Sequence, residues 1–529
     1  MLNKPNRSFA MAFTHYILVI FLIQLFFSAS HASLSSDEIC NFTPYPNLCK
    51  TLLPQNNSID IYDSGRLSIQ LSLSTASQIL DLINGFLKPI GLLLPKITMF
   101  AFQDCQFLLG QNVDLLSDAA AFTKKPNNSL ENTEADDVET WLSATITNKQ
   151  SCLDGLLVTP SNLQVANLIT PLISKGSMMC SVSLALFKKG WNPGSGLGNV
   201  VSWSMFKIRQ KVVVNPDGTG NYTTINDAIA GAPNNNSLAW EGYYQIYVVA
   251  GVYHEYVNIA SNKKYLMMVG DGINKTIITG NRNMHDGWTT FKSATFAVDG
   301  RGFVAMKITF KNTAGAAKFQ AVAVRNSADL SAFYSCSFEG YQDTLYTHSL
   351  RQFYKKCNIY GTIDFIFGNA AVVFQNCNIY PRVPLPGQFN PITAQGRSDI
   401  NQNTGISFQK CTISPAPDLA SYNGSSPVRT YLGRPWKEYS RTVYMQSFMD
   451  SFIHPDGWSI WAGDFALSKL YYAEFKNKGP GSDTSNRVTW PGYHGEISSN
   501  KASRFTVSNF ILGDFWLPWT GVPYTGGLY

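Results

Sequence analysis

The chain has 529 residues, of which 45% are hydrophobic and 14% charged, with a formal net charge of +6. At roughly 100 to 200 residues per domain this length predicts at least one large core and favours two, and wholesale disorder is excluded. Charge is scarce against an average of about 25%, while 13% aromatics, 40 Gly and 25 Pro predict turn-rich β structure rather than long coiled coils.

In chain order, Lys4 and Arg7 precede an apolar run over 17–27 that ends in Ser28-Ala29-Ser30-His31-Ala32. Basic, apolar and small-residue segments in that order predict a secretory signal over 1–32. Eleven residues are few for a bilayer, and a longer uncleaved anchor starting near Met11 is the alternative. Seven N-x-Ser/Thr sequons follow, at Asn41, Asn56, Asn127, Asn221, Asn235, Asn274 and Asn423, which suits a glycosylated extracellular protein.

Nine cysteines fall into a group of five (40, 49, 105, 152, 180) and a group of four (336, 357, 377, 411). The gap between the groups suggests two domains. In an oxidising compartment disulfides are the default, and an odd total leaves at least one thiol free. No CxxC pair occurs and no two histidines lie within five residues, so no zinc site is expected.

Residues 33–189 read as helical. Ala76, Ile79, Leu80, Ile83, Phe86 and Leu87 recur at helical spacing, as do Ala101, Cys105, Leu108, Leu115, Leu116 and Ala119, then Val138, Trp141, Leu142, Thr145 and Cys152. A fourth stripe begins near Leu163, interrupted by Pro171. Four amphipathic helices with short connections predict an antiparallel bundle. Cys40 and Cys49 are placed to close a small hairpin, Cys105 and Cys152 to tie the second helix to the third, and Cys180 is the spare. Residues 190–210, with Gly194, Gly196 and Gly198, read as a linker. A phosphate loop there lacks a preceding strand and a Lys-Ser/Thr ending.

From 211 to 529 the pattern changes to short β-branched and aromatic runs punctuated by Gly, Asn and Asp. Phe333-Tyr334-Ser335-Cys336-Ser337-Phe338 is echoed around Cys357, Cys377 and Cys411, and the first three cysteines are 21 and 20 residues apart. A period near 20 residues of strand and turn predicts an all-β parallel β-helix, in which each rung covers its neighbour. Blades of a propeller would need about 40 residues.

Rungs stack about 4.8 Å apart, so sequence spacing measures lateral distance. Asp343 and Asp364 each lie seven residues after a stacked cysteine and are expected side by side on adjacent rungs. The same register permits a Cys336–Cys357 disulfide. Gln320 and Gln342, 22 apart, are expected to flank the acids. Two close carboxylates raise each other's pKa, so one tends to hold a proton. A cation beside one of them would keep it anionic as nucleophile or base and leave the other as acid. Neutral amide donors suit an oxyanion. The set implies acyl transfer or hydrolysis. A lone Asp in a solenoid turn is more often a turn residue that bonds local backbone; rung spacing and the Gly- and aromatic-rich surroundings favour function for this pair. No G-x-S-x-G elbow occurs, and carboxylate spacing alone does not exclude glycoside hydrolysis.

The second half resembles the plant pectin methylesterases through 220–225 (GNYTTI), 314–325 (AGAAKFQAVAVR), 340–346 (GYQDTLY), 361–369 (GTIDFIFGN), 431–439 (YLGRPWKEY), 470–472 (LYY) and 479–481 (GPG). The first half resembles the pectin methylesterase inhibitor domain through its cysteine spacing and 137–156 (DVETWLSATITNKQSCLDGL). The resemblance implies a right-handed parallel β-helix over 211–529, a secreted cell-wall enzyme, and hydrolysis of the methyl esters of homogalacturonan. Asp364 would be the nucleophile, Asp343 the acid and then base, and Gln320 and Gln342 the oxyanion donors. Arg434 would hold Asp364 anionic, while Thr295 and Trp436 would line sugar subsites. No metal or organic cofactor is implied. The implied partners are homogalacturonan and, within the chain, the inhibitor-like half; neither nucleic acid nor, after signal removal, a membrane is expected, and the protein is expected to be a monomer.

Phe319 replaces the usual His before Gln320. The junction carries Phe206-Lys207-Ile208-Arg209-Gln210-Lys211 where a paired-basic motif of the Arg-Arg-Leu-Leu kind is usual, which leaves separation of the halves open. Residues 33–190 carry 10 basic and 14 acidic side chains, and 211–529 carry 27 and 21; docking of an acidic half on a basic one is one reading, simple solvation the other. A polygalacturonase or pectate lyase on the same architecture is a second hypothesis, weakened by the missing Gly-His-Gly motif and acidic calcium cluster. A wall-bound regulatory protein silenced by its inhibitor-like half is a third.

Overall fold

The computed structural model describes residues 35–54, 59–90, 94–125, 128–157, 164–191, 206–235, 241–424 and 427–529; the signal over 1–32 and most of the linker lie outside the described residues. After two short helices, Ser36–Cys40 and Pro46–Leu52, four long ones follow: α1 (Ile61–Ile90), α2 (Lys96–Phe122), α3 (Asn132–Leu157) and α4 (Gln164–Trp191). Their apolar stripes meet in two clusters. One holds Ile69, Ala76, Leu116, Val138, Leu142, Leu184 and Phe187, the other Ile79, Ile83, Ala101, Leu108 and Ile173. Helix α4 runs through Pro171. It contains a stretch, Asn167–Trp191, long and apolar enough to cross a membrane, but its Ile169, Ile173, Leu184 and Phe187 are buried in the bundle.

Disulfides join Cys40 to Cys49 and Cys105 to Cys152, as the spacing suggested. Cys180 is free and buried, and its sulfur lies 2.9 Å from the ammonium of the buried Lys149.

The remaining chain winds into a β-helix of three sheets with eleven, seven and eight strands among the described residues, and the neighbouring strands that pair do so in parallel. Its interior is a set of ladders. Phe333, Tyr354, Phe374, Phe408 and Tyr444 stack face to face at 5.0, 4.7, 4.9 and 4.4 Å, an arrangement that adds to burial alone. At the next corner Cys336, Cys357, Cys377 and Cys411 form a second ladder, each preceded by a residue in left-handed backbone: Ser335, Lys356, Asn376 and Lys410. That conformation costs about 1 kcal/mol or more at a non-Gly residue, so the recurring corner persists because the ladders on both sides fix it.

The expected Cys336–Cys357 disulfide is not formed; all four ladder cysteines are free thiols. Register was read correctly and direction was not. Cys336 Sγ donates to the carbonyls of Ala305 and Tyr334, and Cys357 Sγ to those of Phe333 and Lys355. Both sulfurs thus point the same way off successive rungs and keep the rung spacing, whereas a bridge requires sulfurs about 2.05 Å apart with converging Cβ positions.

The seven-stranded sheet carries the cleft. Its strands in chain order are β1 (Val257–Ile259), β2 (Phe296–Val298), β3 (Val324–Asn326), β4 (Leu345–Thr347), β5 (Ile366–Gly368), β6 (Asn390–Gln395) and β7 (Thr430–Pro435). Register aligns Asn258, Ala297, Arg325, Tyr346, Phe367, Ala394 and Arg434 in one column. At one rung per 4.8 Å this column is about 29 Å long. Gly368 closes β5 at φ 127°, where a Cβ would lie 2.1 Å from the Thr347 carbonyl oxygen, so the rung stacks only with glycine there.

Candidate active site

Leu345 pairs with Ile366 and Tyr346 with Phe367, which puts Asp343 and Asp364, each two residues before its strand, in the same register on adjacent rungs. Both acids sit in left-handed backbone, at φ 63° and 52°. Their amides are fixed by the following rungs: Asp343 N–H donates to Ile363 O at 3.1 Å and Asp364 N–H to Pro391 O at 2.8 Å. Strain of this kind costs about 1–3 kcal/mol per residue and concentrates where side-chain aim matters.

Arg434, on β7, reaches back across β6 to grip Asp364 with two bonds, Nε to Oδ1 at 2.8 Å and Nη2 to Oδ2 at 2.6 Å. Its guanidinium lies 4.4 Å from the Trp461 ring centroid. Burial raises the Asp364 pKa, and the bonds from Arg434 oppose that rise. Asp343 has no such grip. Burial and then the neighbouring Asp364 push it well above the ordinary carboxylate range, with Arg434 opposing more remotely. The two acids are therefore sorted, with Asp343 the one that keeps its proton.

A cavity of about 340 Å³ opens on the pair, lined also by Gln320, Gln342, Tyr346, Phe367, Trp436 and Trp461. Phe319 adopts φ 58° immediately before Gln320, and Gln320 Oε1 is buried without a partner. Trp436 packs edge-on to Phe367 at 5.9 Å and closes over Gly396, where a Cβ would lie 2.9 Å from the indole. Six sequence-predicted residues thus meet here: Asp343, Asp364, Gln320, Gln342, Arg434 and Trp436. Thr295 does not join them. It is fully buried, its hydroxyl donates to Lys311 O at 3.1 Å, and it lines no part of this cavity. The preceding Thr289, Thr290 and Phe291 face the cleft instead.

A family model described as Pectinesterase matches residues 211–514, and one described as Plant invertase/pectin methylesterase inhibitor matches 35–186. The chain belongs to the pectinesterase family. It is 50% identical to the probable pectinesterase/pectinesterase inhibitor 20 of Arabidopsis thaliana, over 93% of this chain and 94% of that one. It is 45% identical to pectinesterase 2 of Citrus sinensis, over 97% and 99%. Among solved structures, the pectin methylesterase from carrot superposes with a TM-score of 0.58 at 54% identity, covering 60% of this chain and 98% of that one. The protein is a carboxylic ester hydrolase, with a pectin methylesterase domain and an inhibitor-like helical domain in one chain.

The inhibitor-like half lies over the pectinesterase cleft, and sequence reading missed the face that does this. Along α3, Asp137, Thr140, Ser143, Thr147, Ser151 and Asp154 form a polar stripe at spacings of three and four, opposite the apolar stripe that fills the bundle. Asp137 bonds Arg301 at 3.2 Å and Arg351 at 2.5 Å. Thr140 accepts from Asn403 at 2.9 Å, Ser143 O from Gln402 at 2.8 Å, and Thr147 from Asn369 at 2.8 Å. Ser151 lies 3.2 Å from the Tyr346 hydroxyl and 2.9 Å from His348 Nε2, and Asp154 accepts from Lys437 at 2.7 Å. Asp137 and Asp154, acids of the helical half, thus meet bases of the other half. A second polar period on a helix already assigned an apolar one was the available signal.

Proposed function

We propose that the protein hydrolyses methyl esters of homogalacturonan through Asp364 and Asp343, and that its helical half holds the cleft closed. The bidentate Arg434 grip on one of two in-register acids is the observation that carries this reading. An Asp364 carboxylate oxygen attacks the ester carbonyl carbon. The carbonyl electrons move to oxygen, where the amides of Gln320 and Gln342 supply uncharged donors. The carbon–methoxy bond then breaks and Asp343 gives its proton to the departing methanol. Water attacks the resulting acyl-Asp364, Asp343 takes a proton from it, and the bond to Asp364 breaks to release the galacturonic acid, which loses its remaining proton to water as galacturonate. Trp436 presents a ring on which a saccharide face can stack. Ser151 and Asp154 of α3 line the same cavity, which supports a blocking role for the helical half. The signal-like segment and the pectin substrate support a site of action outside the cell, at the wall.

Product balance on methyl-esterified pectin tests the reading. Methanol equimolar with new carboxylates, at unchanged chain length, is expected. Chain shortening or unsaturated ends without methanol would replace it with a depolymerase.

A further inference from the structure

Beyond the acid pair the cleft continues. A second cavity of about 310 Å³ shares Asp104 and Phe291 with the first, and its floor is the same column of residues, here Asn258, Ala297 and Arg325. Its wall is the excursion between Gly280 and β2, which carries Arg282, Trp288 and Lys292, with Thr289 of the same excursion lining the adjoining first cavity. No step of the proposed reaction uses this end, yet the helical half puts two unlike side chains into it from one face of α2. Phe100 stacks on Trp288 with centroids 4.7 Å apart and planes 20° apart. One turn on, Asp104 accepts from the Thr289 hydroxyl at 2.5 Å and pairs with Lys292 at 3.5 Å.

Resting on the reading above, we infer that Trp288, Thr289 and Lys292 form a further subsite that takes an unesterified galacturonate residue, and that Phe100 and Asp104 occupy it as stand-ins for the sugar ring and its carboxylate. An indole face pairs with a flat apolar surface, whether phenyl ring or sugar face. An ammonium beside a hydroxyl pairs with a carboxylate from either source. Arg282, 4.0 Å over the Trp288 ring and 3.6 Å over that of Tyr256, braces the indole and adds positive potential. The nearby Arg325 is already matched by Asp299 at 2.8 and 3.2 Å and Arg282 lies over the two rings, so Lys292, which already faces the Asp104 carboxylate, is the cation placed to select the anion. Asp104 fills the place imperfectly: its Oδ1 meets the Lys292 ammonium only at 3.5 Å and makes no closer hydrogen bond. A charge-assisted bond of this type is shorter, about 2.7–2.9 Å, when well formed, so a carboxylate on a movable chain has room to compete. The subsite favours acid over ester at a position away from Asp364, so product chains are recognised as well as substrate.

The test uses the full chain and unesterified hexagalacturonate, with binding followed by calorimetry. In Phe100→Ala/Asp104→Ala the stand-ins are gone, and affinity is expected to rise about tenfold over the parent. In that background, among the described residues, only the Lys96 ammonium of α2, 4.5 Å over the Trp288 ring, still reaches these residues, and Lys96→Met is added so that further changes there cannot act by loosening the docked helix. Lys292→Met and Trp288→Ala should each weaken binding about fivefold or more, with Trp288→Phe restoring most of it and melting curves showing each variant folded. No gain in the Phe100→Ala/Asp104→Ala chain, or affinities within about twofold after Lys292→Met and Trp288→Ala, would overturn the inference. Methanol release measured with the same substitutions in a Thr147→Arg chain, where the α3 contact to Asn369 is broken, reports separately on the reaction: its absence with this binding pattern intact would sink the esterase mechanism and leave the subsite standing.

Discussion

The two halves hide apolar surface by different means, and the difference decides how much chemistry each displays in sequence. In the β-helix a rung repeats, so a functional pair is a pair of aligned residues: Asp343 with Asp364 through the Leu345–Ile366 register. In the bundle an apolar stripe reports only what faces inward. What the outward stripe does depends on what lies against it, and here Asp137 to Asp154 of α3 meets the other half of the chain. A solenoid therefore writes its site into its period, while a helix writes only its burial.

The largest expected contrast is catalytic. Asp364→Asn should lower methanol release by on the order of 10⁴-fold or more, and Asp343→Asn by about 10²–10⁴-fold, with unchanged melting of the β-helix. Substitutions confined to the helical half should not abolish the reaction.

Thiol chemistry sharpens the comparison next. The helical half carries both disulfides, with sequence separations of 9 and 47, whereas the β-helix ladder is four thiols. Loop-closure entropy assigns about 3 and 4 kcal/mol to the two bridges. Reductant should lower the unfolding transition of the bundle and leave that of the β-helix in place, as read by calorimetry with and without reducing agent. A ladder transition that also falls on reduction would show that the cysteines are bridged after all.

Docking comes third. Thr147 is 4% exposed between Asn369 and Gln402, and Thr147→Arg would bury an unmatched charge there, at a cost of several kcal/mol. Methanol release by the full chain is expected to rise severalfold. A chain already active, with no increase, would show that the helical half does not block the cleft.

The smallest expected effect is the pH dependence of docking. Burial pushes Asp104 up to about 6, opposed by Lys292, Thr289 and Arg325; undocked it would return towards about 4. Docking thus favours the protonated acid. Its contribution is complete below about pH 4, is lost between about pH 4 and 6, and is flat above that, a change of up to about 100-fold in the docking constant. Hydrogen exchange of α2 should accelerate across that window, and Asp104→Asn should remove the step.

Much of this was legible in the sequence. The bundle, the β-helix and the acid pair followed from periodicity, and the resemblance to pectin methylesterases supplied Arg434 and Trp436, which lie on or beside a strand two rungs beyond Asp364 and share no local pattern with it. Side-chain direction was not legible. Cys336 and Cys357 have the register of a bridge but parallel sulfurs, and Thr295 turns its hydroxyl to Lys311 O while Thr289, six residues earlier, faces the cleft. Phe100 and Asp104 were invisible for another reason: α2 reads as a plain amphipathic helix until Trp288 and Lys292 are placed against it.

The account rests on Arg434 sorting two stacked acids, and the pH profile of methanol release in the Thr147→Arg chain, with and without Arg434→Gln, tests that most directly. Because the guanidinium holds Asp364 down against burial, removing it should move the acidic limb to higher pH, along with a rate loss of about 10²-fold. An acidic limb that stays in place while the rate falls would contradict the account.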